Sequence, residues 1–186
     1  MAHSTPVIEN LIKYKYSGWE GYCNLHLKKP SDHKIIKNFL PKVDCDKFVE
    51  NININNLQEP DIKRRKIGFN GNDSIFRYLN YFDFPRPLKQ IYKDIIPDKL
   101  INDSLESWIM YFDTNNFYDL WFAPETCLHY IYSISLLDKQ TFEIDHKSIT
   151  VNKGDLVIFE TRIPHEVPSV NKPNMFLNFL LLRNST

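Results

Sequence analysis

Two hydrophobic periods divide the chain at about residue 107. Ahead of that point apolar residues recur every three to four positions. In "RPLKQIYKDII" Leu88, Ile91, Tyr92 and Ile95 fall on one helical face, and Pro87 stands at the start, where a missing N–H is tolerated. "SDHKIIKNFL" opens on Ser31, a favoured N-cap type, and predicts a second helix. Between these segments "EPDIKRRKIGFNGNDS" is polar and turn-forming, so its basic run Lys63 to Lys66 reads as a solvated loop.

Beyond residue 107 the period falls to two. "SWIMYF", "LHYIYSISLL", "TFEID", "SITV", "GDLVIF" and "NMFLNFLLL" predict six strands within roughly 75 residues. Asp138-Lys139 and Asp145-His146 are expected to close hairpins, and Lys153-Gly154-Asp155 to introduce the next strand. Connections this short leave no room for crossover helices, which favours an antiparallel sandwich or barrel. The expected fold is α+β, mainly β: a helical and loop elaboration over residues 1–106, packed on a β core over 107–186, in one structural domain.

Composition narrows the function classes. A chain of 186 residues suits one domain, and a formal net charge of +0 supplies no general field for nucleic acid or anionic membrane. No segment approaches the roughly 18 apolar residues of a membrane span, and "MAHSTPVIENLIKYKY" lacks an apolar signal core. Cys23, Cys45 and Cys127 are odd in number and far apart, which predicts free thiols and a cytoplasmic location. The expected partner is a small molecule or another protein.

"ITVNKGDLVIFETRIPHEVPSV" carries the chemistry. It resembles the second half of a double-stranded β-helix, the jelly-roll core of cupins and Fe(II)/2-oxoglutarate oxygenases. In the prolyl-4-hydroxylase-like branch a strand after Gly-Asp leads through an Arg-x-Pro-like turn to His-Glu-Val. Arg162, Pro164, His165, Glu166 and Val167 match that pattern, and the resemblance covers about the last 80 residues. It implies that His165 stands at an iron-ligand position. It also implies a His-x-Asp or His-x-His pair upstream and, about nine residues after the histidine, an arginine that grips the distal carboxylate of 2-oxoglutarate.

This chain departs from the pattern at each of those other places. "ESWIMYFDTNNFYDLWFAP" aligns Trp121, Phe122 and Ala123 with the first ligand pair, and nine residues beyond His165 stands Asn174. Indole and methyl groups donate no lone pair to a divalent metal, and an amide is no substitute for a bidentate guanidinium. The expectation is a degenerate site with no cofactor. In an alternative register Glu125, Cys127 and His129 join His165 as S, N and O donors.

Alternation supplies the other candidates. If Asn174 faces the barrel interior, so do Phe176, Asn178 and Leu180, while Tyr130 and Tyr132 share one face of their own strand. The ligand-pocket candidates are therefore His165, Trp121, Tyr130, Tyr132, Asn174, Asn178 and Arg162, with Tyr118, Asp119 and Arg162 as rim residues. Two classes of function remain open at this point. One is a metal-free binding protein. The other is an enzyme, either an iron oxygenase using Fe(II) and 2-oxoglutarate or a metal-independent cupin with His165 and a tyrosine as its acid-base pair.

Overall fold

All six expected strands form, and among the described residues four more join them. In the computed structural model residues 33–60, 71, 74–121 (residue 121 by its backbone) and 129–182 are described. In chain order the strands are β1 (Lys34–Ile36), β2 (Arg77–Asn80), β3 (Ser104–Phe112), β4 (Tyr118–Trp121), β5 (His129–Ser135), β6 (Gln140–Ile144), β7 (Lys147–Val151), β8 (Leu156–Glu160), β9 (His165–Val167) and β10 (Asn174–Leu182). The helices are α1 (Lys42–Glu50), α2 (Arg86–Ile95) and α3 (Asp98–Asp103). None among the described residues is long and apolar enough to cross a membrane.

The strands form two antiparallel sheets, a six-stranded one in the order β1-β8-β5-β10-β3-β2 and a four-stranded one in the order β4-β9-β6-β7. From β3 onward the chain alternates between the sheets, apart from the β6–β7 pair in the small one, so that β10 returns between β3 and β5 and β9 between β4 and β6. This interleaving is the double-stranded β-helix. The Asp145-His146 turn closes the β6–β7 hairpin, with both residues in the left-handed region and Ile144 paired to Lys147. Asp138-Lys139 does not close a hairpin. It carries the chain from β5 in one sheet to β6 in the other.

Alternation sorts the core into two clusters. On the outer face of the large sheet Leu177, Phe179, Ile109 and Ile134 pack under Leu88 and Tyr92 of α2. Ile91 and Ile95 complete the apolar face of that helix against the same cluster, as its period predicts. Between the sheets Phe76, Phe112, Phe142, Phe159 and Phe176 form an aromatic interior.

The N-terminal half differs from expectation. Lys34–Ile36 is a strand paired antiparallel with Leu156–Ile158, not part of a helix opening at Ser31; Ser31 and the Lys63 to Lys66 run lie outside the described residues. Pairing at the sheet edge overrides local helix propensity there. With β2 on the opposite edge, residues before 107 extend the large sheet on both sides as well as covering it.

A second tie joins this half to the barrel. Gly154 sits at φ +90°, and a Cβ on it would lie 2.2 Å from the Leu40 carbonyl oxygen, so only glycine fits. Its carbonyl accepts from the Leu40 N–H at 3.0 Å. The neighbouring Asp155 carboxylate accepts from the Asn38 N–H, the Asn152 N–H and Lys37 Nζ, while Lys153 Nζ reaches Asp46 at 2.6 Å. Burial alone would raise the Asp155 pKa, but these donors outweigh it and hold the carboxyl below its ordinary value.

Candidate functional site

Between the sheets lies a cavity of about 400 Å³. Its walls follow from strand alternation. From β3 come Glu106, Trp108, Met110 and Phe112, from β10 Phe176, Asn178 and Leu180, and from β5 His129, Ile131 and Ser133. The small sheet adds Tyr118, Phe142, His165 and Val167, and β2 adds Tyr78 and Asn80.

Burial gives the cavity a direction. Leu180, Glu106 and His129 stand at its open end, whereas Phe112 and Phe176 are nearly inaccessible at the closed end. The closed end is aromatic throughout: Phe76 packs on Phe112 at 5.8 Å and on Tyr118 at 5.9 Å between centroids, and Phe176 on Phe112 at 6.2 Å and Phe142 at 5.7 Å. Among the described residues lining it there is no lysine or arginine.

His165 is fixed nearer the mouth. Its ring lies 4.9 Å from Phe159 and nearly parallel to Tyr118, at 6.1 Å and 9°. Nδ1 is 2.8 Å from the Ile163 carbonyl oxygen. A carbonyl only accepts, so Nδ1 carries a proton and donates it to Ile163. Enclosure in the barrel raises the Tyr118 phenol well above its ordinary range, which keeps it a neutral hydroxyl.

Several sequence candidates converge here and others do not. Asn178 lines the cavity, and Asn174 lies on the same face of β10 at the closed end, where it is fully buried and neither its Oδ1 nor its Nδ2 has a hydrogen-bond partner. Trp121 is the backbone partner of His165 across the β4–β9 ladder. Tyr130 and Tyr132 are corrected: His129, Ile131 and Ser133 take the inward phase of β5, and Tyr132 packs against the outer cluster near α3.

Arg162 is not a rim residue either. It is buried beside Glu160, to which its Nη2 donates at 2.7 Å, and Glu160 is the register partner of outward-facing Tyr130. Asp119 is also buried, its N–H donating to Ser74 Oγ. Glu166, next to His165, faces outward as alternation requires and stands opposite Glu143. Burial first, then the hydrogen bond and charge of Glu143 and the charge of Asp119, push its carboxyl up to about 7.

Among the described residues no group of three His, Cys, Asp or Glu side chains is placed to hold an ion. His129 and His165 both line the cavity, while Glu125 and Cys127 lie outside the described residues. The described donors therefore do not fit a three-residue iron site. Sequence reasoning missed Trp108, Ser133, Asn80 and Glu106. Alternation in "ESWIMYF" separates Glu106, Trp108 and Met110 from Ser107 and Ile109, but the inward phase is set by sheet neighbours distant in sequence.

No known family pattern and no curated protein matches the chain. Similar solved structures include the viral collagen prolyl hydroxylase vCPH from Paramecium bursaria Chlorella virus-1 in a 2OG complex, at 10% identity and TM-score 0.57, over 81% of this chain and 95% of that one. A Pseudomonas putida prolyl-4-hydroxylase is similar at 13% identity and TM-score 0.54, over 81% and 92%. HygX from Streptomyces hygroscopicus, with nickel and 2-oxoglutarate bound, is similar at 9% identity and TM-score 0.57, over 81% and 82%. The chain shares the double-stranded β-helix fold of these structures. At such identities the likeness carries the architecture, and chemistry has to be argued from this chain's own side chains.

Proposed function

We propose that this protein is a metal-independent relative of the oxygenase fold that binds a small molecule in the barrel cavity. The observation that carries this reading is the aromatic closed end. The resemblance requires a cation there for a distal carboxylate, and this chain has Phe76, Phe112, Phe142, Phe176 and the neutral amide of Asn174. A carboxylate moved from water to such a place loses its hydration without a compensating charge.

The mouth points the same way. The resemblance puts the first metal ligand at residue 121, and the β4–β9 register brings that position opposite His165. The residue is tryptophan, whose indole lacks a lone pair for a metal. His165 then serves as a hydrogen-bonding group held by Ile163 and Tyr118. The free, buried Cys45 suits a reducing compartment, and cytoplasmic location is part of the proposal.

The test is elemental analysis of the purified protein, with calorimetric titration of 2-oxoglutarate in the presence and absence of Mn(II). The reading expects no stoichiometric metal and a Kd no tighter than about 1 mM, near −4 kcal/mol. Micromolar, Mn(II)-dependent binding would overturn it and point to an active Fe(II)/2-oxoglutarate oxygenase with Glu125, Cys127 or His129 among its ligands.

A further inference from the structure

The register of the large sheet aligns four polar side chains in one row. Ser133 pairs with Asn178, Asn178 with Trp108, and Trp108 with Asn80, so the row crosses β5, β10, β3 and β2 at a single level. All four line the cavity. Adjacent strands lie about 4.8 Å apart, which makes the row roughly 14 Å long.

The flanking levels are mainly apolar. Towards the mouth come Ile131 and Leu180, and towards the closed end Phe176, Met110 and Tyr78. Across the cavity stand His165 and Tyr118 with parallel rings. A molecule entering this space meets hydrogen-bonding groups along one edge and apolar or aromatic surface on its faces. The row offers a hydroxyl, two amides and an indole N–H, which together donate to and accept from neutral polar groups. Among the described lining residues the formal charge is the Glu106 carboxylate at the mouth, which repels anions.

Building on the metal-independent reading above, we infer that the ligand is an uncharged planar aromatic or heteroaromatic compound carrying amide or hydroxyl groups on one edge. The cavity volume of about 400 Å³ falls in the range of sites that enclose such molecules. Flat faces suit the aromatic walls, and the polar edge spans two or three members of the row. Anionic counterparts are disfavoured, because ionisation would bury a charge that no lysine or arginine among the described lining residues meets.

Matched pairs of neutral and anionic probes test the assignment: 1-naphthaleneacetamide against 1-naphthaleneacetate, indole-3-acetamide against indole-3-acetate, and salicylamide against salicylate. Binding is followed by calorimetry and, for the naphthalene pair, by quenching of tryptophan fluorescence, without added metal. At least one amide is expected to bind below about 100 µM, with its acid about ten-fold weaker or worse. Asn178→Leu should weaken that amide about five-fold or more, and Trp108→Phe, which keeps a ring but removes the N–H, about two- to five-fold. The wild-type comparison of amide with acid stands even if a variant fails to fold. Equal or tighter binding of the acids, no amide binding at about 1 mM, or full affinity in a folded Asn178→Leu protein would each overturn the ligand class. Binding of an acid that appears only with Mn(II) would instead overturn metal independence, so the two failures are distinguishable.

Discussion

Glu166→Gln should convert a pH-dependent stability into a nearly flat one. The parent carboxyl is held at about 7 against an ordinary 4.5, because the fold partly buries it opposite Glu143 and near Asp119. A carboxyl whose pKa is raised on folding binds its proton more tightly in the native state. Its contribution is fully present below about pH 4.5 and is lost as pH rises towards 7. At 1.36 kcal/mol per unit the whole shift would correspond to roughly 3 kcal/mol, and solvent screening at a partly exposed site reduces this to about 1–2 kcal/mol. Glutamine keeps a donor for Glu143 and removes the charge. Urea unfolding, followed by fluorescence from about pH 4.5 to pH 8, should show variant and parent equally stable at the acid end and the variant about 1–2 kcal/mol more stable at the alkaline end. Ionisations of groups that do not interact with Glu166 cancel in the difference between the two proteins. Because Glu143 and Glu166 share one interaction, adding Glu143→Gln should contribute little more. A difference that does not change with pH, or a variant less stable at about pH 8, would refute the reasoning.

Three further outcomes are expected. Asn174→Leu removes a buried amide that lacks partners and should raise unfolding free energy by about 1 kcal/mol; a loss of similar size in urea melts would show that the amide is satisfied in solution. Gly154→Ala forces a Cβ against the Leu40 carbonyl at positive φ and should cost about 2 kcal/mol or more, read as a lower denaturation midpoint; an unchanged midpoint would mean that the turn relaxes freely. His165→Ala should lower stability by about 1–3 kcal/mol through lost packing on Phe159 and Tyr118 while metal content stays near zero, and loss of bound Fe, Zn or Ni in the variant would contradict the proposal.

The barrel was legible in the sequence where alternation ran for five residues or more. "NMFLNFLLL" and "SWIMYF" declare their period because each face packs against a different cluster. The three-residue β9 is too short to show a period, and β4 is followed by residues outside the described set. β1 was misread because Ile35 and Ile36 gain their strand conformation from β8, more than a hundred residues away. Motif and alternation pointed to His165 and Asn178, both of which line the cavity. Tyr130 and Tyr132 were assigned to the wrong face because alternation groups residues without saying which group points inward. The polar row was invisible for a related reason: Asn178 meets Trp108 and Ser133 only through the register of three strands.

The turn at Lys153-Gly154-Asp155, bound to Leu40, Asn38, Lys37 and Asp46, also constrains how the protein comes into being. Asn38 and Asp155 are 117 residues apart in the chain, so an early segment leaves the ribosome long before its anchor exists. At about 5–20 residues per second that interval is roughly 6–23 s. Throughout it the apolar side of α1, with Cys45 and Phe48, has no β8 turn to settle against, and only late-arriving, long-range contacts can close the loop. A fragment begun at residue 107 would lack both the covering helices and the segment that fastens the β7–β8 turn.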